Sequence, residues 1–282
     1  MSKATYNESD NELFNIELQL LLEAVFLRYG YDFRNYSKAH LKRRVLYRLG
    51  ISNLSTVSEL QNKILRDREF FKEFLDDLSI NVTEMFRDPD FYKSLRENII
   101  PKLRTYAYFK IWHAGCATGE EVYSLAILLH EEGLIDRCQV YATDFNQKVL
   151  EIAKEGVYQK TDIEQCERNY QLSGGKKNLS DYYKSMYGSV MFNKELSSRI
   201  VFADHNLVTD SVFADVNLIL CRNVLIYFEK NLQEQVLGLF YESLVPSGIL
   251  CLGTKESLKF SEYGKLFEGI DEKQKIFKKR IL

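Results

Sequence analysis

A short apolar strand that breaks into a glycine-containing turn and then into a helix constrains this chain most. The stretch runs from Ile111 to Ser124 and reads IWHAGCATGEEVYS. Gly115 and Gly119 lack a Cβ, so the backbone can bend sharply and a ligand can approach it closely. The helix that follows directs its free amide groups at that ligand. This order of elements is typical of a nucleotide-cofactor turn in an α/β fold.

Two carboxylates, Glu120 and Glu121, stand at the start of that helix. They would repel a pyrophosphate, whereas a ligand with an ammonium or sulfonium centre would be attracted to one of them. The turn therefore indicates an S-adenosylmethionine site rather than a dinucleotide site. The alternative is that the two glycines serve only tight packing between strand and helix.

The next expected strand ends in a third carboxylate. It runs from Gln139 to Thr143 and is followed by Asp144. In a doubly wound sheet, an acid at the end of the second strand is placed to accept hydrogen bonds from a ribose. Asp144 is also placed to cap a helix beginning near Asn146, and the two roles are compatible.

Composition limits the class of protein. The chain has 282 residues, 45% of them hydrophobic, with three prolines, which is enough for a substantial core in two domains. No apolar run approaches the roughly 20 residues that cross a bilayer. The N-terminal sequence MSKATYNESDNE also lacks the basic and apolar regions of a signal peptide. We therefore expect a cytoplasmic protein without direct membrane insertion.

Cysteine spacing and charge exclude further classes. The five cysteines form no CxxC pair, which predicts small core residues in a reducing compartment, with neither disulfides nor a metal site. The net charge of −2 argues against an extended nucleic-acid surface, which requires a strong basic surplus.

Two patterns divide the chain. Helical spacing of apolar residues from about Leu13 to Leu78 predicts about four amphipathic helices, an all-α N-terminal domain over 1–80. A connector over 81–105 holds a helix that we expect to stop near Pro101. Over 106–282, strands and helices alternate as in an α/β domain. We expect strands at 109–114, 139–143, 200–203, 216–221 and 248–252, and helices near 120–132, 146–155 and 231–245.

Two additions extend this α/β pattern. The segment 267–282 predicts a hairpin with its turn near Asp271 to Lys275, which would place an antiparallel edge on a parallel sheet. The segment of about 156–198 is an insertion that a simple crossover does not need. Its tyrosine-rich pieces favour an ordered small subdomain, such as a short sheet.

Four blocks of this sequence, taken together, resemble the CheR family. They are NVTEMFR from Asn81, GCATGEEVYS from Gly115, ATD from Ala142 and CRNVLIYF from Cys221. Members of that family use S-adenosylmethionine to esterify glutamate side chains of bacterial chemoreceptors. The resemblance covers essentially the whole chain and implies an all-α N-terminal domain and a Rossmann-like class I methyltransferase domain with a small antiparallel β-subdomain. Val122 stands where the family usually has proline, which alters only the helix start.

The resemblance implies a site for S-adenosylmethionine, with S-adenosylhomocysteine as product and no metal. Asn81, Thr83 and Arg87 would reach the methionine end, with Arg87 pairing its carboxylate. The alternative is a helix cap by Thr83 and a surface arginine. Glu120, or else Glu121, would face the ammonium group.

The rest of the implied cofactor site lies at the carboxyl ends of strands. Asp144 would bind the ribose hydroxyls, and Gly115 would form the turn. Asn206 and Leu207 would flank the adenine. Asn223 and Val224 would line the site after the fourth strand.

Arg222 and Tyr227 are the predicted catalytic residues. A glutamate acceptor has an ordinary pKa of about 4.3, so it is already the nucleophile at neutral pH and needs no general base. Catalysis is then mostly positioning. Arg222 would hold the carboxylate, while Tyr227 would line the methyl path and donate one hydrogen bond. The alternative is that CRNVLIYF is a buried strand end with a salt-bridged arginine. Amino-group methyltransferases that act on adenine or glutamine carry an Asn/Asp-Pro-Pro-Tyr type motif at the end of the fourth strand, where this chain has Cys-Arg-Asn-Val, so N-methylation is disfavoured.

Residues 38 to 48 form a basic helix that is a predicted docking surface. The apolar row is Leu41, Val45 and Leu49. The basic residues that would steer the protein toward a glutamate-rich receptor are Lys38, Lys42, Arg43, Arg44 and Arg48. In the family the corresponding helix has this part; the alternative is a solvated helix face. In some members the inserted subdomain binds a receptor tail, and the sequence leaves open whether Tyr187 to Phe192 offers such an edge.

The expected partner is the cytoplasmic helical domain of membrane chemoreceptors. Nothing resembles a coiled-coil seam, so we expect a monomer. A non-catalytic cofactor sensor or scaffold is the alternative function. It predicts decay of Arg222, Tyr227 or the glycine turn, and these residues are intact.

Overall fold

The structure is a computed structural model that describes residues 8–79 and 83–281. The chain forms two compact units. The first, here called the helical unit, comprises residues 1–80 and 227–233; the second, the sheet unit, comprises 81–226 and 234–282. In the part of the chain that the structure describes, no helix is both long and apolar enough to traverse a bilayer.

The helical unit confirms the prediction of four helices. They are α1 (Glu8–Tyr29), α2 (Lys38–Ser52), α3 (Val57–Arg66) and α4 (Arg68–Leu78). Local capping fixes where two of them start. Thr56 and Glu59 form a reciprocal capping box on α3, and Asp67 accepts the first amides of α4. The apolar row of α2, Leu41, Val45 and Leu49, is buried as predicted.

The sheet unit contains two sheets and short helices around them. Its strands are β1 (Phe109–Ala114), β2 (Cys138–Asp144), β3 (Val157–Gln159), β4 (Tyr183–Met186), β5 (Ser189–Phe192), β6 (Ile200–Asp204), β7 (Val216–Cys221), β8 (Leu244–Leu252), β9 (Phe267–Asp271) and β10 (Ile276–Lys279). Its helices are α5 (Pro89–Ser94), α6 (Ile100–Leu103), α7 (Glu120–Glu131), α8 (Gln147–Glu155), α9 (Lys160–Gln165), α10 (Glu167–Leu172), α11 (Lys194–Ser197) and α12 (Lys230–Ser243), the last beginning within the segment 227–233. The 3₁₀ turns are Ile135–Arg137, Leu179–Tyr182, Leu225–Tyr227 and Glu262–Leu266.

The large sheet has the order β6-β2-β1-β7-β8-β10-β9. The first five strands are parallel, and β10 is antiparallel to both β8 and β9. The chain builds outward from β1 through β2 to β6, and then returns to the other side of β1 with β7. The sheet therefore has a switch point between β1 and β7, which is where ligands bind in open α/β sheets. The predicted α/β class, and the hairpin that forms its antiparallel edge, are confirmed.

The insertion is an ordered subdomain, as predicted. β3, β5 and β4 form a three-stranded antiparallel sheet in that order. The connector helix differs from the prediction, because it does not stop at Pro101 but continues to Leu103. A π-helical turn, Leu95–Ile99, precedes α6, and Pro101 lies in the first turn of α6, where proline is tolerated.

Gly156, the residue after α8, lies against the side chain of Tyr123 in α7, and a substitution there tests this contact. Its φ is +63°, and an added Cβ would lie 2.3 Å from the Tyr123 hydroxyl oxygen. That hydroxyl is held by donating a hydrogen bond of 3.1 Å to the Ala153 carbonyl. We expect Gly156→Ala to lower the free energy of unfolding by about 2 to 4 kcal/mol, because backbone strain and overpacking add. Urea unfolding measures the change.

The matched control is Gly133→Ala. Gly133 has a similar φ of +67°, but a Cβ there would meet nothing within 4 Å. Only backbone strain applies, so the expected loss is about 1 to 2 kcal/mol. Equal losses for the two variants would show that Tyr123 does not constrain Gly156.

Candidate active site at the switch point of the sheet

The turn between β1 and α7 is built by backbone hydrogen bonds to the neighbouring strand. The amides of Gly115 and Cys116 both donate to the Thr143 carbonyl, at 2.8 and 2.9 Å. Gly115 has a φ of +70°, and an added Cβ would lie 2.5 Å from Cγ2 of Val224. Val224, which follows β7, therefore packs directly on the turn that follows β1. The absence of a Cβ at Gly115 does permit a close approach, and in this structure the side chain of Val224 makes one.

Asp144 is buried at the end of β2 and holds two turns. Its Oδ2 accepts the Ala117 amide, and its Oδ1 accepts the Asn146 amide, each at 3.0 Å. The cap of α8 is Asn146, whose Oδ1 accepts the Lys148 amide, so Asp144 is not the capping residue. Burial raises the pKa of Asp144, and the hydrogen bonds from backbone amides oppose that rise. The Phe145 amide also donates to this carboxylate, so backbone amides use three of its roughly four acceptor positions and about one remains for a further donor.

The adjacent acids Glu120 and Glu121 have different surroundings. Glu120 is half-buried and accepts a hydrogen bond of 2.7 Å from the Thr118 hydroxyl. Burial raises the pKa of Glu120, and the Thr118 hydrogen bond opposes the rise. Glu121 is buried, and its Oε1 accepts a short hydrogen bond from Arg222. Of the two acids, Glu121 is committed to an internal ion pair and Glu120 is not.

Arg222 lies at the centre of a buried ionic cluster. Its side chain is fully buried, and it pairs with Glu121 through Nη1 and with Asp88 through Nη2, the latter at 2.6 Å. Nη1 also donates to the Arg87 carbonyl at 3.3 Å, and the guanidinium lies 4.0 Å from the centre of the Phe91 ring. This geometry is that of the alternative, a salt-bridged arginine at a buried strand end.

His113 lies on the other side of Glu121. Its Nε2 is 3.7 Å from Oε2 of Glu121, too far for a hydrogen bond. Burial lowers the pKa of His113, which favours the neutral ring. Among the described residues, neither ring nitrogen has a hydrogen-bond partner. The ionic cluster is therefore made by Arg222 and its two carboxylates, without a charged imidazole.

A buried carboxylate holds the loop after β7. Glu256 accepts the amides of Val224 and Leu225 at 2.9 and 2.7 Å, and that of Asn223 at 3.2 Å. Asn223 has a φ of +61°. Its side-chain Oδ1 is buried and makes no hydrogen bond within the described parts of the chain. Asn223 and Val224 were predicted from the sequence. Glu256 and Asp88 were not, because neither of these two acids lies in a recognised motif.

The other predicted cofactor residues are less tightly fixed. Asn206 accepts the Val208 amide at 3.0 Å in the turn after β6, and both Asn206 and Leu207 are half-buried. Thr83 and Arg87 are also half-buried, and their roles stay predictions. Asn81 lies outside the described residues.

Tyr227 belongs to the helical unit. Its carbonyl accepts the Ser37 amide at 2.8 Å, and its ring centre lies 5.0 Å from that of His40. These contacts do not test the predicted catalytic role of Tyr227, which stays a prediction.

The predicted docking helix, α2, presents fewer charges than expected. Arg48 is buried, with Glu73 at 2.8 Å and Asp77 as ion-pair partners. It is i+3 from Val45, which places it on the apolar face rather than in a basic row. Its charge is neutralised inside the unit, so Arg48 is removed from the docking set. The side chains that remain are Lys38, Lys42, Arg43 and Arg44, which are exposed or half-buried.

These groups fit a ligand such as S-adenosylmethionine. Glu120 offers a carboxylate to a cation, and Asp144 offers an acceptor to a hydroxyl group. The unpartnered Oδ1 of Asn223 offers an acceptor to an amino group. Glu120 and Asn223 follow β1 and β7, and Asp144 ends β2, so all three lie at the same edge of the sheet, beside the switch point.

Comparisons with known proteins agree with this geometry. The family model described as "CheR methyltransferase, SAM binding domain" matches residues 81–275, and "CheR methyltransferase, all-alpha domain" matches 16–79. A Pseudomonas putida protein with the name "Putative methyltransferase Cher3" is 50% identical over 94% of this chain and 97% of its own. The chemotaxis protein methyltransferase of Listeria innocua is 30% identical, over 83% of this chain and 88% of its own. That of Salmonella typhimurium is 27% identical, over 87% and 85%.

The two family models together span most of the sequence, and they divide it where the helical pattern gives way to the alternating one. The chain belongs to the CheR methyltransferase family.

Proposed function

We propose that this chain transfers a methyl group from S-adenosylmethionine to glutamate side chains of chemoreceptors, forming methyl esters. Family membership supports an S-adenosylmethionine-dependent methyltransferase, and the relatives named as chemotaxis protein methyltransferases support the acceptor. The observation that carries the proposal is the set of Glu120, Asp144 and Asn223 at the switch point. It matches the ammonium, ribose and adenine groups of one ligand.

The roles of these residues follow from their surroundings. When bound, S-adenosylmethionine supplies an electrophilic methyl group on a sulfonium centre. Glu120 neutralises the ammonium group, and the acceptor position that the backbone leaves on Asp144 accepts a ribose hydroxyl. Asn206 and Leu207 flank the adenine, while Asn223 and Val224 line the site after β7, where Oδ1 of Asn223 can accept from an amino group. Arg87, with Thr83, holds the methionine carboxylate.

A carboxylate acceptor suits this site because it needs no base. With an ordinary pKa of about 4.3, it is ionised at neutral pH and attacks directly once it is oriented. Arg222 can orient it through Nη2, because Glu121 is buried with Nη1, whereas the Asp88 side chain on Nη2 is 35% exposed. We propose that the acceptor carboxylate takes the place of Asp88 on Nη2.

The receptor partner is proposed to meet α2 through Lys38, Lys42, Arg43 and Arg44. Their positive charge complements a glutamate-rich helical domain in the cytoplasm. The enzyme is proposed to act there as a monomer, without a metal.

Product chemistry tests the reaction. Methyl-labelled S-adenosylmethionine and receptor-containing membranes should give label that mild alkali releases as methanol, as esters do and N-methyl groups do not. In Arg222→Ala we expect labelling to fall at least about 100-fold, because an orienting charge-assisted contact worth about 3 kcal/mol is lost. Alkali-stable label would overturn glutamate esterification. Cofactor binding without any label would favour the sensor alternative.

The control for Arg222→Ala is Asp88→Asn. It removes the charge of Asp88, the exposed member of the ionic cluster, but leaves the buried guanidinium in place. We expect labelling within about tenfold of the wild type, since Glu121 still holds Nη1. A loss as large as that of Arg222→Ala would mean that the cluster acts only as a structural unit.

Measurements of cofactor affinity distinguish the role of Glu120 from that of Glu121. We expect Glu120→Gln to weaken S-adenosylhomocysteine binding about 10- to 100-fold, because a charge-assisted contact with the ammonium group is lost. We expect Glu121→Gln to weaken affinity less than Glu120→Gln does and to lower the free energy of unfolding instead, because its partner is the buried Arg222. Titration calorimetry measures both affinities, and the reverse order would exchange the two roles.

The pH dependence of binding follows from the raised pKa of Glu120. The carboxylate form attracts the ammonium group, so affinity is lost as pH falls through that pKa, which lies above the ordinary value. We expect affinity to decline at a pH at which an ordinary glutamate would still be ionised. Calorimetry of Glu120→Gln over the pH range of that decline should show a flatter profile; an unchanged profile would assign the titration to another group.

A further inference from the structure

Glu256 is a buried side chain whose carboxylate is surrounded by backbone amides. It is 4% exposed and follows β8 in the sequence GTKESL. Oε1 accepts the amides of Val224 and Leu225, and Oε2 accepts those of Asn223 and Gly253, the last at 2.5 Å. One carboxylate therefore accepts four backbone hydrogen bonds from two separate segments of the sheet unit.

The loop after β7 depends on this carboxylate for its conformation. β7 ends at Cys221, so the amides of the next residues have no strand to pair with. Asn223 is left-handed, with a φ of +61°, and this turns three successive amides toward the same point. Without an anion there, these amides would be buried without acceptors, which is costly.

The segment that carries Glu256 is fitted closely to the same loop. A Cβ added to Gly253 would lie 2.7 Å from the Asn223 amide nitrogen and 2.9 Å from Oε2 of Glu256. The Glu256 amide donates back to the Gly253 carbonyl at 2.9 Å. The backbone that carries Glu256 therefore forms its own hydrogen-bonded turn, which fixes the position of the carboxylate relative to the loop after β7.

The loop carries groups on which cofactor binding depends. Val224 packs on the glycine turn, where a Cβ on Gly115 would lie 2.5 Å from its Cγ2. Asn223 presents the buried Oδ1 that lacks a partner among the described residues. A small shift of their backbone would move Val224 into or away from the turn and re-aim the Asn223 amide.

We propose that Glu256 is a positioning residue for the methyl-donor site, acting through the loop of residues 223–225. It does not touch the cofactor; it fixes the backbone from which Asn223 and Val224 line the pocket. The inference rests on the proposed cofactor site at this edge of the sheet.

Glu256→Gln tests the proposal with the least change of shape. The side-chain amide keeps one acceptor oxygen but turns an NH₂ group toward two of the four backbone donors. We expect S-adenosylhomocysteine affinity, measured by calorimetry, to fall at least about tenfold. In Glu256→Ala we expect a larger loss, partly restored by added formate, which can occupy the vacated position between the amides, and not by chloride at equal ionic strength.

Glu131→Gln is the matched control for loss of a buried carboxylate. The Glu131 side chain is 1% exposed in the same unit, pairs with Arg96 and accepts hydrogen bonds from the hydroxyls of Tyr170 and Tyr182. In the part of the chain that the structure describes, the Glu131 side chain makes no hydrogen bond or ion pair with residues 223–225. We expect Glu131→Gln to lower the thermal midpoint of unfolding while leaving S-adenosylhomocysteine affinity within about threefold of the wild type.

The outcomes separate this inference from the proposed function. Wild-type affinity in Glu256→Gln, or equal losses of affinity in Glu256→Gln and Glu131→Gln, would overturn the positioning role alone. A wild-type protein that does not bind S-adenosylhomocysteine would instead overturn the cofactor site on which both proposals rest. Formate rescue of affinity in Glu256→Ala supports positioning by an anion, and rescue by chloride to the same extent would contradict it.

Discussion

The buried ion pair between Arg222 and Glu121 is the constraint around which the sheet unit is arranged. Both side chains are almost completely removed from water, so either charge alone would carry a desolvation cost of several kcal/mol. Arg222 follows β7, and Glu121 lies in the first turn of α7, the helix after β1. The pair therefore joins the segments on either side of the switch point. Because the pair must be complete to be tolerated, the start of α7 and the end of β7 have one relative position.

That constraint also decides how the two adjacent acids divide their roles. Successive residues of a helix point about 100° apart, so a helix that turns Glu121 toward Arg222 must turn Glu120 elsewhere. Glu120 then meets the Thr118 hydroxyl, which leaves most of its carboxylate available. The sequence Gly-Glu-Glu could not settle this assignment, because it depends on an arginine 101 positions away in the chain.

Periodicity and turn chemistry predicted the elements well, because they are local. The strands 109–114 and 216–221 have the expected bounds, and the hairpin at the end of the chain forms. Charged side chains were predicted less well, because their partners are distant. Asp88 and Glu256 belong to no motif, yet the first pairs with Arg222 and the second holds the loop after β7. For Arg48 a local signal did exist: its spacing from Leu41 and Val45 placed it on the buried face of α2.

Two carboxylates act in the same way on opposite sides of the switch point. Asp144 accepts amides from the turn after β1 and from the segment after β2, while Glu256 accepts amides from the loop after β7 and from the segment after β8. In both cases a buried acid helps to fix backbone beyond the end of the sheet, and in the turn after β1 it does so together with the hydrogen bonds from Gly115 and Cys116 to the Thr143 carbonyl. Turns held in this way are rigid before a ligand arrives, which reduces the ordering cost of binding. The two acids differ in the acceptor positions that remain: Asp144 accepts three backbone amides and keeps about one position at the predicted ribose site, whereas Glu256 accepts four. One acid can therefore serve both the turn and the ligand, and the other can serve only the turn.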